Sequence, residues 1–166
     1  MESPPGYTRR SFLSGGARLP SPLRPPGATT AGLDRCSGCS ACVEACPTGI
    51  VALSEGLPVV SFALGACTLC GACAAACPEP VFECGSPIAF LHVGAISEAC
   101  LAKGGIACMT CRDACPQDAI RFRPRVGGPF TPEVLADACN GCGACVAPCP
   151  AGAIRMVGRH PEPVHA

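Results

Sequence analysis

Sixteen of the seventeen cysteines in this chain fall into four blocks, and each block ends in Cys-Pro. Three blocks share the spacing C-x2-C-x2-C-x3-C-P, whereas the third is stretched, because seven residues instead of two follow its first cysteine. Thiols at such short, repeated intervals are typical of metal ligands. The blocks comprise Cys36, Cys39, Cys42 and Cys46; Cys67, Cys70, Cys73 and Cys77; Cys100, Cys108, Cys111 and Cys115; and Cys139, Cys142, Cys145 and Cys149.

The regular spacing predicts [4Fe–4S] clusters, up to four of them. The first three cysteines of a block can wrap three irons of a cubane, and small residues between them let backbone N–H groups approach the sulfurs. In proteins with two such clusters, the fourth cysteine of each block ligates the other cluster. We therefore predict four ligand sets: Cys36, Cys39, Cys42 and Cys77; Cys67, Cys70, Cys73 and Cys46; Cys139, Cys142, Cys145 and Cys115; and Cys108, Cys111, Cys149 and Cys100.

Two other uses of cysteine fit the pattern less well. Zinc sites also contain Cys-x2-Cys pairs, but typically as two pairs separated by a longer loop. A disulfide scaffold belongs to an oxidising compartment, and no secretory segment accompanies these cysteines. We therefore favour clusters over both alternatives.

Two cysteines are irregular. Cys100 precedes a seven-residue excursion, Leu101 to Ala107, and is either a looped-out fourth ligand or a bystander thiol. We expect it to be a ligand, because a missing corner would leave an iron open to loss. Cys84 belongs to no block. It is interpreted as a plain buried or surface thiol, and the alternative is a spare ligand.

The charge balance argues against nucleic-acid binding. Twelve basic and twelve acidic residues give a formal net charge of zero. Each oxidised all-cysteine cubane adds about −2, so four would add about −8 and make the loaded protein acidic. Arginines gather in two places, where we expect a solvated face or, alternatively, a contact with an acidic partner. These are Arg9, Arg10, Arg18 and Arg24, and Arg121, Arg123 and Arg125.

The elements that position these cysteines are predicted to form an α+β fold. It would consist of two tandem bacterial-ferredoxin-like halves, small and loop-rich, with short β-hairpins and short helices. Halves of this size bury little core of their own, so we expect the chain without clusters to be largely unfolded. The predicted segments are a flexible arm (1–32), a first half (33–83), a linker (84–99), a second half (100–157) and a disordered tail (158–166).

The strand and turn signals repeat in the two halves. In the first, a strand over 49–53 and a return over 57–62 flank a turn at 54–56. In the second, a strand over 119–123 leads to a turn at Gly127 and Gly128, and Thr131-Pro132-Glu133 predicts a helical turn. A further strand is expected within 88–93, the stretch 153–157 ends the second half, and no apolar run is long enough for a membrane span.

The arm contains an arginine pair in the stretch TRRSFL, from Thr8 to Leu13, which resembles a twin-arginine export signature. The apolar run that should follow is broken by glycine, arginine and proline, so we do not expect export by this segment. A docking role remains as an alternative. The three histidines, His92, His160 and His165, are expected to face solvent or to serve the structure.

The chain as a whole resembles the NapF-type ferredoxins. The resemblance rests on the four cysteine blocks, the arginine pair with Phe12 and Leu13 behind it, a third block opening ACLAKGG and a fourth reading ACNGCGAC, and it covers residues 8–157. It implies a cytoplasmic accessory protein of a periplasmic nitrate reductase system. Its partner would be the precursor of the catalytic subunit, which it would help to mature.

Three functions remain open at this stage. The chain could be such a maturation factor, a general low-potential electron carrier, or a module in which clusters only hold the fold. No dinucleotide fingerprint, P-loop or interpretable Ser/His/Asp set is present, so we expect it not to be an enzyme by itself.

Overall fold

The computed structural model describes residues 22–83 and 90–159, and all its helices there are single turns. The helices are α1 (Thr30–Leu33), α2 (Ala41–Glu44), α3 (Ala72–Ala75) and α4 (Thr110–Asp113). The strands are β1 (Val51–Ser54), β2 (Leu57–Val60), β3 (His92–Ile96), β4 (Ile120–Arg125), β5 (Gly128–Val134) and β6 (Ile154–Gly158). Short helices and short strands together agree with the predicted α+β class.

The first half is built around the hairpin of β1 and β2, which pair from Val51 with Val60 to Ser54 with Leu57. The two turn residues, Glu55 and Gly56, both have positive φ angles, 53° and 78°. Two left-handed residues match the right-handed twist of a hairpin. The turn predicted at 54–56 is therefore where the structure has it.

The second half repeats this hairpin with β4 and β5. The prediction of a helical turn at Thr131-Pro132-Glu133 is wrong, because these residues lie in β5 and pair with β4. In a two-stranded sheet both strands are edges, and an edge strand tolerates proline at positions whose nitrogen faces away from the partner strand. Proline therefore did not mark a strand end here, and Pro58 in β2 is a second example.

Each half is closed by a pairing of its first and last segments. In the second half β3 pairs antiparallel with β6, from His92 with Gly158 to Ile96 with Ile154. In the first half the equivalent is a single bridge between Ala28 and Phe82. The structure thus places β3 within the predicted linker, and Ala28 within the predicted arm, as parts of the two halves.

The end of the predicted arm also contacts the first hairpin. The N–H of Val60 donates to the carbonyl of Leu23 at 2.8 Å, and Arg24 Nη1 donates to the carbonyl of Pro58 at 2.9 Å. These bonds tie residues 23 and 24 to β2. The rest of the predicted arm, residues 1–21, lies outside the described residues.

The apolar core has two parts, a larger one centred on the first half that also includes Phe90, and a smaller one in the second half. The larger contains Ile50, Val60, Phe62 and Val81, and the smaller contains Ile120 and Ile154. Val146, one residue after a cysteine of the fourth block, packs against both. Across residues 22–83 and 90–159, no helix has the length and apolar character needed to cross a membrane.

Candidate cluster-binding sites

Four cavities of similar size lie between the helices, hairpins and cysteine loops, and each is lined by four cysteines. They measure about 310 to 360 Å³, including the space open to solvent. We number them by their cysteines: the first has Cys36, Cys39, Cys42 and Cys77; the second has Cys46, Cys67, Cys70 and Cys73; the third has Cys100, Cys108, Cys111 and Cys149; and the fourth has Cys115, Cys139, Cys142 and Cys145.

The structure therefore brings together the same four groups that the spacing predicts. The remaining walls are mainly apolar: Val81 and Phe82 in the first cavity, Ile50 and Val60 in the second, and Ile154 in the third. Four thiols in an apolar, partly enclosed space form the donor set of a [4Fe–4S] cluster. The residues present fit that group in all four cavities.

The three regular blocks form the same loop, in which the second and fourth residues after the first cysteine have positive φ. In the first block these are Gly38 and Ser40, and in the second Leu69 and Gly71. In the fourth block they are Gly141 and Gly143. Non-glycine residues rarely adopt this conformation, so its appearance at Ser40 and Leu69 shows that the loop geometry dominates local preference.

The stretched block positions its first cysteine differently. The excursion after Cys100 folds into consecutive turns, in which Gly104 N–H donates to the Cys100 carbonyl at 2.9 Å and Ile106 N–H to the Leu101 carbonyl at 2.8 Å. Ala102 within it is only 1% exposed. The excursion therefore closes upon itself, which places Cys100 in the wall of the third cavity.

Burial and neighbouring thiols raise the pKa of two cysteines in the cavities. Burial, followed by the nearby thiol of Cys100, raises the pKa of Cys111 to about 11. Burial and then the thiol of Cys139 raise the pKa of Cys145 to about 12. Metal binding must displace these protons, so loading of the sites releases protons and is favoured by higher pH.

Hydrogen bonds oppose this trend at the edges of the cavities. Cys46 Sγ and Cys108 Sγ each lie 3.6 Å from a hydroxyl two residues on, those of Thr48 and Thr110. At Cys46, burial raises the pKa, but hydrogen bonds from the hydroxyl and N–H of Thr48 and from the N–H groups of Ile50 and Val51 together outweigh it, so the pKa is lowered overall. At Cys108 the N–H and the hydroxyl of Thr110 lower the pKa.

Backbone N–H groups also reach the cysteine sulfurs. Ala119 N–H donates to Cys115 Sγ at 3.4 Å, and Ala153 N–H donates to Cys149 Sγ at 3.3 Å. Both donors stand four residues after their cysteine, beyond the Cys-Pro turn. Such bonds orient metal ligands and adjust reduction potential.

The two halves meet at the second and fourth blocks. The N–H of Cys67 donates to the carbonyl of Cys142 at 2.9 Å. Beside this bond, Phe62 of the first half packs edge-on against Phe90, with ring centroids 5.8 Å apart. His92 Nε2 bonds the carbonyl of Gly141 at 2.9 Å, so the ring carries its proton on Nε2 when neutral.

Sequence reasoning missed several of these residues. The hydroxyls of Thr48 and Thr110 follow their cysteines by two residues, a spacing that could have drawn attention to them. Phe62 gives no signal in the sequence, because its role depends on packing against the other half. His92, predicted to be solvent-facing or structural, is 6% exposed and buried at the contact between halves.

The other residues singled out from the sequence contribute no cavity wall or lie beyond the described part. Arg121, Arg123 and Arg125 lie exposed on β4, and Arg123 pairs with Glu133 across the hairpin. Cys84, Arg9, Arg10, Arg18, His160 and His165 lie outside the described residues.

Comparison with protein-family models gives two matches with the same description, a 4Fe-4S dicluster domain. They cover residues 35–82 and 106–159. Each therefore spans one hairpin and the cysteine block on either side of it, apart from Cys100 of the stretched block. The chain carries [4Fe–4S] clusters, up to four, in two tandem domains.

Comparison with curated proteins finds relatives along most of the chain. The Ferredoxin-type protein NapF of Haemophilus influenzae is 46% identical over 137 residues, which cover 81% of this chain and 78% of that protein. The Ferredoxin-type protein NapF of Escherichia coli K12 is 40% identical over 151 residues, which cover 89% of this chain and 92% of that protein. A component of an ion-translocating oxidoreductase complex from Methanosarcina acetivorans is 40% identical over 131 residues, 73% of this chain and 46% of that protein.

Proposed function

We propose that this chain, which belongs to the NapF family of ferredoxin-type proteins, holds four [4Fe–4S] clusters and serves as a cytoplasmic maturation factor for the catalytic subunit of a periplasmic nitrate reductase. That it is an iron–sulfur electron-transfer protein follows from the family and the two cluster domains. The observation that carries the cluster number is the presence of four cavities with four cysteines each.

The thiolates of each cavity would hold one cluster, which supplies a site that accepts and gives up one electron at a time. The chain itself would determine how easily that occurs. Buried apolar residues such as Val81 and Ile154 form part of the cavity walls and make the surroundings of the cysteines less polar. Donors such as Thr48 and Ala119 N–H stabilise negative charge on the sulfurs.

The third cavity supports a role beyond passive electron storage, because it lies beside an exposed edge. Arg125 Nη1 donates to the carbonyl of Lys103 at 3.3 Å, which connects the tip of the β4–β5 hairpin to the excursion after Cys100. Around this contact Ile106, Val126 and Phe130 are 58%, 103% and 47% exposed. Exposed apolar side chains rimmed by arginine suit a protein partner.

We assign this edge as the place where the precursor of the nitrate reductase catalytic subunit binds. The cluster of the third cavity would then be the one presented to the partner, either for electron delivery or for assistance with the partner's own cluster. The stretched spacing is the feature that sets this block apart from the other three. The protein would not be an enzyme by itself.

A general low-potential electron carrier is the second candidate. Cys39 of the first cavity and Cys70 of the second are both exposed. Sites that open to solvent in this way can exchange electrons with many partners without a dedicated docking edge. A pure carrier should therefore reduce or oxidise several redox proteins at similar rates, whereas a maturation factor should be selective for one precursor.

The first test counts iron and acid-labile sulfide in anaerobically purified protein, together with EPR after dithionite reduction. Four clusters require about sixteen of each per chain, since each cubane holds four. The second test measures binding to the catalytic-subunit precursor for Ile106→Ser and Phe130→Ser. We expect both to weaken binding, and the matched control Leu64→Ser, which alters a 93% exposed leucine of the first half, to leave it unchanged.

If the iron count is about sixteen but neither variant changes binding, the docking edge is wrong and the cluster assignment stands. Precursor binding that is absent in the unaltered protein, with broad reactivity toward redox proteins, would favour the general carrier. Zinc in place of iron and sulfide would overturn the cluster assignment itself.

A further inference from the structure

We propose that the two halves exchange electrons through the contact between Cys67 and Cys142, so that the four cluster sites form one continuous path. The path would run from the first cavity to the second, across to the fourth, and on to the third. This inference rests on the proposed occupation of all four cavities. Beyond that proposal, it states which cluster sites are neighbours and which residues form the contact between the two halves.

The direct bond between the halves joins two residues of the cavity walls. Cys67 lines the second cavity and Cys142 lines the fourth. The N–H of Cys67 donates to the carbonyl of Cys142 at 2.9 Å, so a single hydrogen bond connects the backbone of the two sites.

Buried side chains pack closely around this contact. Gly143, with φ of +75°, faces the ring of Phe62 so closely that any Cβ at residue 143 would overlap the ring. A Cβ at Gly141 would come within 2.6 Å of the His92 carbonyl oxygen. The rings of Phe90 and His92 lie 4.4 Å apart beside it. Phe62, Phe90 and His92 are all less than 7% exposed, so these three side chains are shielded from water.

Within each half, adjacency follows from the covalent chain. Cys42 of the first cavity and Cys46 of the second flank the end of α2, only four residues apart. Cys111 of the third cavity and Cys115 of the fourth are related in the same way around α4. The second and fourth cavities therefore lie in the middle of the path, and the first and third lie at its ends.

The transfer is a one-electron exchange between two sites of the same kind. The cysteines of the second and fourth cavities would hold the two clusters between which the electron passes, and one site would lose the electron that the other gains, in either direction. No bond forms or breaks and no proton moves. The third cavity, beside the exposed edge at Ile106 and Phe130, would be the end that faces the partner.

The test uses the holoprotein and a variant in which an added methyl group pushes the two halves apart at the junction. We call such a substitution a wedge. A flash-generated flavin radical supplies less than one electron per chain, the sample is frozen at successive times, and EPR records which sites are reduced. In the unaltered protein we expect the EPR spectrum of the earliest sample to match the spectrum recorded after equilibration. This match should not depend on protein concentration, because the electron moves within one chain. In Gly143→Ala, whose new methyl group meets Phe62, we expect the early spectrum to differ and to relax slowly.

Two further variants distinguish an effect of the added methyl group on Phe62 from an effect of backbone strain at a glycine with positive φ. Gly152→Ala changes a glycine that also has positive φ, +56°, but has nothing within 4 Å of the new Cβ. It should behave like the unaltered protein. The double variant Phe62→Ala/Gly143→Ala removes the ring that the methyl group meets and should recover most of the fast equilibration. If Gly143→Ala loses iron, Phe62→Trp applies the same wedge from the other half, away from the cysteine loops.

Fast equilibration in an iron-replete Gly143→Ala or Phe62→Trp protein would overturn the proposal, as would slow equilibration in Gly152→Ala. Slow equilibration confined to the wedge variants supports it. An iron count below about sixteen in the unaltered protein would instead contradict the four-cluster assignment, since each cubane holds four irons. The two failures are therefore distinguishable.

Discussion

The Sγ of Cys46 lies 3.6 Å from the Oγ1 of Thr48, and the same relationship joins Cys108 to Thr110. A thiolate bound to iron can only accept a hydrogen bond, so each hydroxyl must donate when the site is loaded. The two pairs stand in different halves and face different cavities, the second and the third. Because the pair occurs in both halves, each of these two sites has one cysteine sulfur with a threonine hydroxyl beside it.

Removing this donor should lower the reduction potential of the site. The reduced cluster is the more negative state, so a hydrogen bond to its sulfur favours reduction. Thr48→Val and Thr110→Val keep the side-chain shape but lose the hydroxyl. Only the extra strength of the bond in the reduced state counts, so a net bond worth about 0.5 to 1.5 kcal/mol limits the downward shift of one potential to at most about 20 to 65 mV.

An EPR-monitored redox titration measures this shift. Thr131→Val, which changes a threonine of β5, serves as the matched control and should leave all potentials in place. A potential that rises, or stays unchanged in both cysteine-adjacent variants, would show that the hydroxyls do not donate to ligand sulfurs.

Cys100→Ala should remove one cluster without unfolding the rest. The structure puts Cys100 in the third cavity together with Cys108, Cys111 and Cys149. With three thiolates remaining there, we expect iron to fall from about sixteen to about twelve per chain, because one four-iron cluster is lost. The variant should also fail to activate the nitrate reductase precursor.

Cys84→Ala is the control, because it deletes the one cysteine outside the blocks. Full iron in Cys100→Ala would exclude Cys100 as an essential ligand. If iron were then lost only in the combined Cys84→Ala/Cys100→Ala protein, Cys84 would be the substitute ligand.

Iron removal should unfold most of the chain. Each helix in the described part is four residues long, far below the length at which helices persist alone in water. The sheets have two strands each, which are marginal without further support. Four cavities of about 310 to 360 Å³ would be left between them. Amide NMR dispersion before and after treatment with a chelator and an oxidant tests this, and well-dispersed signals in the iron-free protein would contradict it.

The local features of this fold could be read from the sequence, because they depend on residues near one another in the chain. The cysteine spacing predicted the four groups that the structure brings together, and Glu55-Gly56 marked the first turn. The Cys67–Cys142 contact and the pairing of β3 with β6 could not be predicted. They join segments about 60 to 75 residues apart, and such pairings are decided by packing rather than by local pattern. The misassigned Thr131–Glu133 shows the same limit, since only the partner strand β4 tells that Pro132 lies in a hairpin.

Acid should weaken the junction between the halves through His92. Burial lowers the pKa of His92 below its usual 6.5, the Gly141 carbonyl raises it less, and Arg159 lowers it further. The folded protein therefore keeps the ring neutral while the unfolded chain takes up a proton below about pH 6.5. Because the unfolded state binds more protons in that window, stability falls as pH falls through it, down to the folded pKa.

The measurement is the rate of loss of cluster absorbance in mild denaturant, from about pH 7.5 to about pH 5.5. Clusters are themselves sensitive to acid, so the quantity that matters is the ratio of the rates for the unaltered protein and His92→Gln. The glutamine amide can still donate to Gly141 but does not titrate. We expect the unaltered protein to lose its relative advantage below about pH 6.5, as the unfolded imidazole becomes charged. A ratio that stays constant across the range would show that His92 does not couple protonation to the stability of the junction.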